Sequence, residues 1–250
     1  MPSSAEMQAI NDSIVAEGFQ LYYSERANWV ATDLMLEKCD MANVGGSVTY
    51  QPDDNTWIVV FFDRDDENCV LEYRVSTLSD EAYVFDSIRP ISEEERILWI
   101  RNNTLINKAI GKYGDKMQFA SKSFGSPNLD IIEINDHLIR MYFLQGTIKP
   151  DLIPFGNDYS IDFDENLEPI AFRKYHNSLI AIPTKDNGEV VTMTMHSHLQ
   201  DNPFITPTDI CNFLLYRPAG MNSFSVLSTA YNCMFTFSLD QQAIFVEKRK

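Results

Sequence analysis

Histidine is scarce in this chain, with four in 250 residues, and cysteine is as rare. Cys39, Cys69, Cys211 and Cys233 are widely spaced and form no CxxC pair. That spacing fits reduced core thiols better than a disulfide framework or a structural zinc knuckle. Basic residues are also few: 20 Lys and Arg against 36 Asp and Glu give a formal charge of −16. Such a surface repels phosphate backbones and anionic lipid, and no basic patch is interleaved with aromatics, so neither nucleic acid nor a membrane surface is an expected partner. No apolar run approaches the roughly 20 residues of a membrane span. The opening residues, Met1-Pro-Ser-Ser-Ala-Glu, have neither a basic segment nor an apolar core, and a cytoplasmic location is expected. A Gly-rich phosphate loop, a dinucleotide fingerprint and a GxSxG elbow are all missing, which leaves nucleotide-driven chemistry without support.

What is present suits a folded protein with a sizeable core, since 44% of the residues are hydrophobic. Residues 4 to 38 carry helical spacing, with Met7, Ile10 and Ile14 on one stripe and Val30 and Leu34 on another, and predict one long or broken helix ended by Gly45-Gly46. Residues 47–50, 56–62 and 69–75 read as a three-strand meander with acidic turns. The turn Asp63-Arg-Asp-Asp-Glu-Asn68 lacks the Gly and terminal Glu of a calcium loop and reads as a solvated hairpin tip. Ser92-Glu-Glu-Glu95 is a capping box that opens a second helix ending near Gly111 or Gly114. The stretch from Ser121 to Asn128, with Gly125 and Pro127, is the best linker candidate and divides a module at 1–120 from a strand-rich region at 128–250. The expected fold class is α+β: an N-terminal helix, an antiparallel meander and a helix, followed by strands at 129–134, 138–145, 159–164 and 168–174.

One stretch carries chemistry. In Val190-Val-Thr-Met-Thr-Met195-His196-Ser-His198 the alternation places Thr192, Thr194, His196 and His198 on one face of a strand, so both imidazoles point the same way. Beyond Pro203, Thr206-Pro207-Thr208-Asp209 has the form of a helix start, with Thr206 as N-cap and Pro207 at the first helical position. A strand end and a helix start can therefore bring His196, His198 and Asp209 together. Two imidazoles and a carboxylate suit zinc, with a water in the fourth position. The same Thr-x-x-Asp is also a plain capping box, and an HxH pair can be a surface ladder. His176, at the end of the preceding strand, can add a ligand or an acid, while His137 follows the turn signal Asn135-Asp136 and reads as a surface residue.

The spacing H-x-H, seven residues, hydroxyl residue, two residues, Asp resembles that of the JAMM (MPN+) metallopeptidases, over about residues 190 to 240. The resemblance implies an MPN-like α/β/α arrangement of the 128–250 region, with zinc on His196, His198 and Asp209 and substrate carbonyl positioning by Thr206. It implies cleavage of a peptide or isopeptide bond in a protein partner. Asp209 to Tyr216 fits the helix expected next, and Ser223 to Ser228 the strand after it. The chain has Leu199 where the family has Pro, and Thr206 where it has Ser. The family's upstream Glu-x-x-Gly-x-Leu-x-Gly, which carries the general base, has its closest echo in Leu138 to Gly146, without a glutamate; Glu133 and Glu168 are the upstream candidates. Two functions follow: a zinc-dependent hydrolase, or a catalytically inactive MPN-like module that binds a protein or peptide.

Overall fold

The computed structural model describes residues 1–79, 81–120 and 124–249. The chain begins with a single unbroken helix, α1 (Ser4–Lys38), opened by a capping box in which Ser3 and Glu6 satisfy each other's backbone N–H groups. Its buried positions recur every three or four residues, from Met7, Asn11 and Val15 through Gly18, Leu21 and Glu25 to Ala31 and Met35, which keeps one face inward along its whole length. The meander follows as β1 (Val44–Asp53), β2 (Thr56–Asp63) and β3 (Asn68–Ser76), extended by β4 (Ala82–Phe85) and β5 (Arg89–Pro90), both paired with β3. Gly45-Gly46 does not end the helical region as expected. The pair lies inside β1, where the ladder with β2 is bulged between Val44 and Gly46. Helix α2 (Glu93–Tyr113) opens on the Ser92/Glu95 capping box read from the sequence.

Strands β6 (Pro127–Asn135), β7 (Leu138–Gln145), β8 (Leu152–Phe155), β9 (Tyr159–Phe163) and β10 (Pro169–Lys174) come next. Four of them form an antiparallel sheet in the order β10-β9-β7-β6. Strand β8 pairs instead with β11 (Ile180–Pro183), and a short ladder of β12 (Lys185–Asp186) with β13 (Glu189–Val190) precedes the last sheet. That sheet contains β14 (Thr194–His198), then, after helix α3 (Pro207–Tyr216), β15 (Ser223–Ser228), β16 (Cys233–Ser238) and β17 (Ala243–Lys248), in that spatial order. The β14–β15 pair is parallel with α3 as its crossover, and the other pairs are antiparallel hairpins. The class is therefore mixed α+β, as expected.

The expected boundary does not divide the core. Residues 121–123 of the linker candidate lie outside the described residues, and Pro127-Asn128 already belong to β6. Met7 and Val15 of α1 join Phe155, Phe213, Phe224, Phe235 and Phe237 in one core, while Leu21, Ala27 and Ala31 join Trp57, Leu71, Tyr142 and Cys211 in another. Each fully enclosed Phe stabilises the fold by about 1.5 to 3 kcal/mol, so α1 is cemented to both halves of the chain. Close approach of α1 to α3 depends on Gly18, where a Cβ would come within 2.8 Å of Ile210. This contact fixes the first turn of α3, which carries Asp209. All four cysteines are free, and three are buried.

Candidate metal centre

Alternation along β14 is as the sequence dictates from Thr194 onward, with Thr194, His196 and His198 buried and Met195 and Ser197 exposed, whereas Thr192 lies before the strand and is exposed. Thr206 caps α3, with its side chain accepting from the Asp209 N–H while the Asp209 carboxylate accepts from the Thr206 N–H. The capping box is present, yet it uses only one face of the carboxylate. Asp209 Oδ2 takes the Thr206 N–H and hydroxyl, both at 2.8 Å. Asp209 Oδ1 is free of hydrogen bonds and lies 3.2 Å from the Nε2 atoms of both His196 and His176. His198 Nε2 is 3.6 Å from Oδ2.

The three imidazoles meet nose to nose. His198 Nε2 is 2.8 Å from His176 Nε2 and 3.0 Å from His196 Nε2. Four donors around one tetrahedral ion with bonds of 2.0 to 2.1 Å would stand roughly 3.3 Å apart, and the observed separations scatter around that edge length. Hydrogen bonding sets the tautomers. His198 Nδ1 faces the Phe204 carbonyl at 2.5 Å, which can only accept, and His176 Nδ1 faces the Asp158 carboxylate at 2.8 and 3.0 Å. Both Nδ1 atoms therefore donate, and in the neutral rings both Nε2 atoms present lone pairs to each other. Facing lone pairs repel unless a proton or a metal ion lies between them. This donor set and the unpartnered Asp209 Oδ1 fit a divalent metal ion.

Without a metal ion, the electrostatics favour a proton in that place, on His176. At His176 burial disfavours the charged ring, but the Asp158 and Asp209 carboxylates outweigh it and raise its pKa well above the ordinary value. Burial brings His198 down to about 4, opposed by Asp209 and reinforced by the adjacent His176 and His196 rings. Asp209 is held well below the usual carboxylate range, because the three imidazoles overcome the effect of its burial. His196 is held by packing, its ring 4.7 Å from that of Phe155 and stacked 6.3 Å from that of Phe224. Its Nδ1 is buried without a partner.

Of the residues singled out from the sequence, His196, His198, Asp209 and His176 converge, and their donor atoms all lie within 4.8 Å of one another. Thr206 is adjacent through Asp209. Glu133 and Glu168 are not in the group. Glu133 sits on an outward position of β6 and pairs with Arg101, while Glu168 precedes β10 and pairs with Lys108, each with its side chain about 61% exposed. A carboxylate solvated at a sheet edge and engaged by a cation cannot serve as a base in an enclosed centre. His137 is exposed beside Glu165, as its turn position implied. Asp158 escaped sequence reasoning, because Gly156-Asn157-Asp158 reads only as a turn signal. The centre is closed, with exposures of 5% for His176, 7% for His196, 3% for His198 and none for Asp209. A cleft of about 670 Å³ is lined by Thr206 and Phe204 but by none of the four donors. No protein-family model matches this chain, and no curated protein or solved structure matches it either.

Proposed function

We propose that this chain is a zinc-binding, MPN-like module whose metal serves structure and protein binding rather than hydrolysis. The observation that carries this reading is the convergence of four buried protein donors, His176, His196, His198 and Asp209, with no glutamate among them. Structural zinc sites fill four positions with protein ligands, whereas catalytic sites keep one open. The order of a strand bearing HxH, a helix opened by Thr206 and Asp209, and a return strand parallel to the first supports the MPN-like arrangement. Bound there, zinc would link the segment after β10, the strand β14 and the first turn of α3. The partner is a protein or peptide, and the charge of −16 steers toward a basic one.

Metal analysis of protein purified without a His-tag or added zinc tests the reading. About one equivalent is expected, lost in the H196A/H198A double variant; equal metal content in that variant would refute it. The hydrolase reading is favoured by one observation, the assembly of His196, His198 and Asp209 with Thr206 bonded to Asp209. Zinc-dependent, EDTA-sensitive turnover of a chromogenic peptide or isopeptide panel would establish it in place of the silent module.

A further inference from the structure

Behind the donor atoms lies a second set of contacts that a capping box does not need. Asp158 is wholly buried in the turn between β8 and β9. Both its oxygens face His176 Nδ1, at 2.8 and 3.0 Å, and Oδ2 also accepts from the Thr208 hydroxyl. Thr208 Oγ1 sits 2.9 Å from Thr206 Oγ1, and Thr206 donates to Asp209 Oδ2 at 2.8 Å. Each threonine spends its one hydroxyl proton on a carboxylate, Thr208 on Asp158 and Thr206 on Asp209, so the first turn of α3 holds both the carboxylate behind His176 and the one in front of it.

The segment bearing His176 is pinned from several sides although it belongs to no strand or helix. The Tyr175 N–H donates to the Asp158 carbonyl at 3.1 Å. Asn202 Nδ2 donates to the Lys174 and Tyr175 carbonyls, both at 2.9 Å. Gly156, at φ +87°, lets the segment lie against the β8–β9 turn, since a Cβ there would come 2.2 Å from the Ser178 carbonyl oxygen and 3.2 Å from His176 Cβ. A ring held this way is already aimed, with its Nδ1 proton committed and its Nε2 turned inward.

We propose that Asp158 is a positioning residue that makes His176 a permanent fourth metal ligand, closing the coordination sphere to water and to any substrate oxygen. This rests on the metal-binding reading above and deepens it. A carboxylate behind a ligating imidazole fixes ring orientation and raises ligand basicity, and removing such a partner costs tenfold to a hundredfold in metal affinity. The full chain loaded with cobalt(II) makes the coordination visible. Wild type should give the intense visible absorption of a four-coordinate ion and should not respond to azide. His176→Ala should give a weaker, shifted spectrum that azide changes and free imidazole restores, and Asp158→Asn should bind cobalt tenfold to a hundredfold more weakly. An azide-responsive wild-type spectrum would overturn the proposal without recourse to any variant, as would a His176→Ala spectrum identical to wild type. If wild type bound no cobalt and no zinc, the metal-binding reading would fail as well, which separates the two.

Discussion

Asp209 and Asp130 are both enclosed carboxylates, and among the described residues neither is ion-paired to an Arg or Lys. Their neighbours differ in sign. Asp209 faces three imidazoles, which hold it ionised well below the usual range and offer a cation a complete set of donors. Asp130 lies near another buried acid, Glu25 of α1, with only the Ser24 hydroxyl at 2.7 Å and the Ile131 N–H at 3.0 Å to support it. Asn128 donates to Glu25 at 3.0 Å, and one oxygen of each acid has no partner. Burial raises Asp130 to about 7, and burial together with the Asp130 charge raises Glu25 well above its ordinary value. A buried charge must be neutralised. The first site could hold a metal ion that does it, and at the second burial favours the protonated acids.

The sharpest way to break this contrast is to dismantle the first site. Replacing His196 and His198 together by Ala should reduce bound metal from about one equivalent to none and lower stability by roughly 3 to 5 kcal/mol, since buried Asp209 loses two of the three imidazoles that face it and two enclosed side chains leave cavities. Denaturant unfolding with parallel metal analysis measures both quantities. A double variant that kept its stability would mean that the donors are only packed together.

The second site should respond to pH instead. Folding raises the Asp130 carboxyl above its ordinary value, so the folded chain keeps a proton that the unfolded chain loses above about pH 4. Its contribution is fully present below that pH and drains away as pH rises through about 7. Asp130→Asn keeps an oxygen for Ser24 and Ile131 and places an N–H₂ where an unpartnered oxygen stood. It should stabilise the protein by roughly 1 to 3 kcal/mol more at pH 8 than at pH 4. Thermal unfolding across that range checks it, and a pH-independent difference would show that the acid pair is not protonated in the fold.

The smallest effects belong to Glu133 and Glu168. Substituting either by Gln should leave metal content unchanged and shift stability by no more than about 0.5 kcal/mol, as expected for exposed ion pairs. Loss of metal in either variant would return that glutamate to the centre.

The two sites also differ in how far the sequence reveals them. His196, His198, Thr206 and Asp209 lie within fourteen consecutive residues, so strand alternation and helix capping are enough to bring them together. The same local rules reach α1, α2, α3 and the hairpins. His176 is legible only as a strand-end residue, because its approach depends on how the β8–β9 turn meets the segment after β10. Asp158 gives no signal beyond its turn. Ser24 and Asp130 are 106 residues apart, and nothing local marks the acids at that interface as neighbours. For the same reason the β8–β11 pair and the short strands β4 and β5 were not expected: their pairing is decided by tertiary contacts rather than by their own short patterns. The choice of Glu133 and Glu168 followed upstream position, whereas the sheet turns both of them to solvent.

X-ray absorption at the zinc edge of tag-free protein tests the central claim most directly. Four nitrogen or oxygen donors at about 2.0 to 2.1 Å, with the scattering of three imidazoles, is the predicted spectrum. Two imidazoles with a light oxygen donor would keep the metal but contradict the closed centre, and sulfur donors or the absence of bound zinc would contradict the account as a whole.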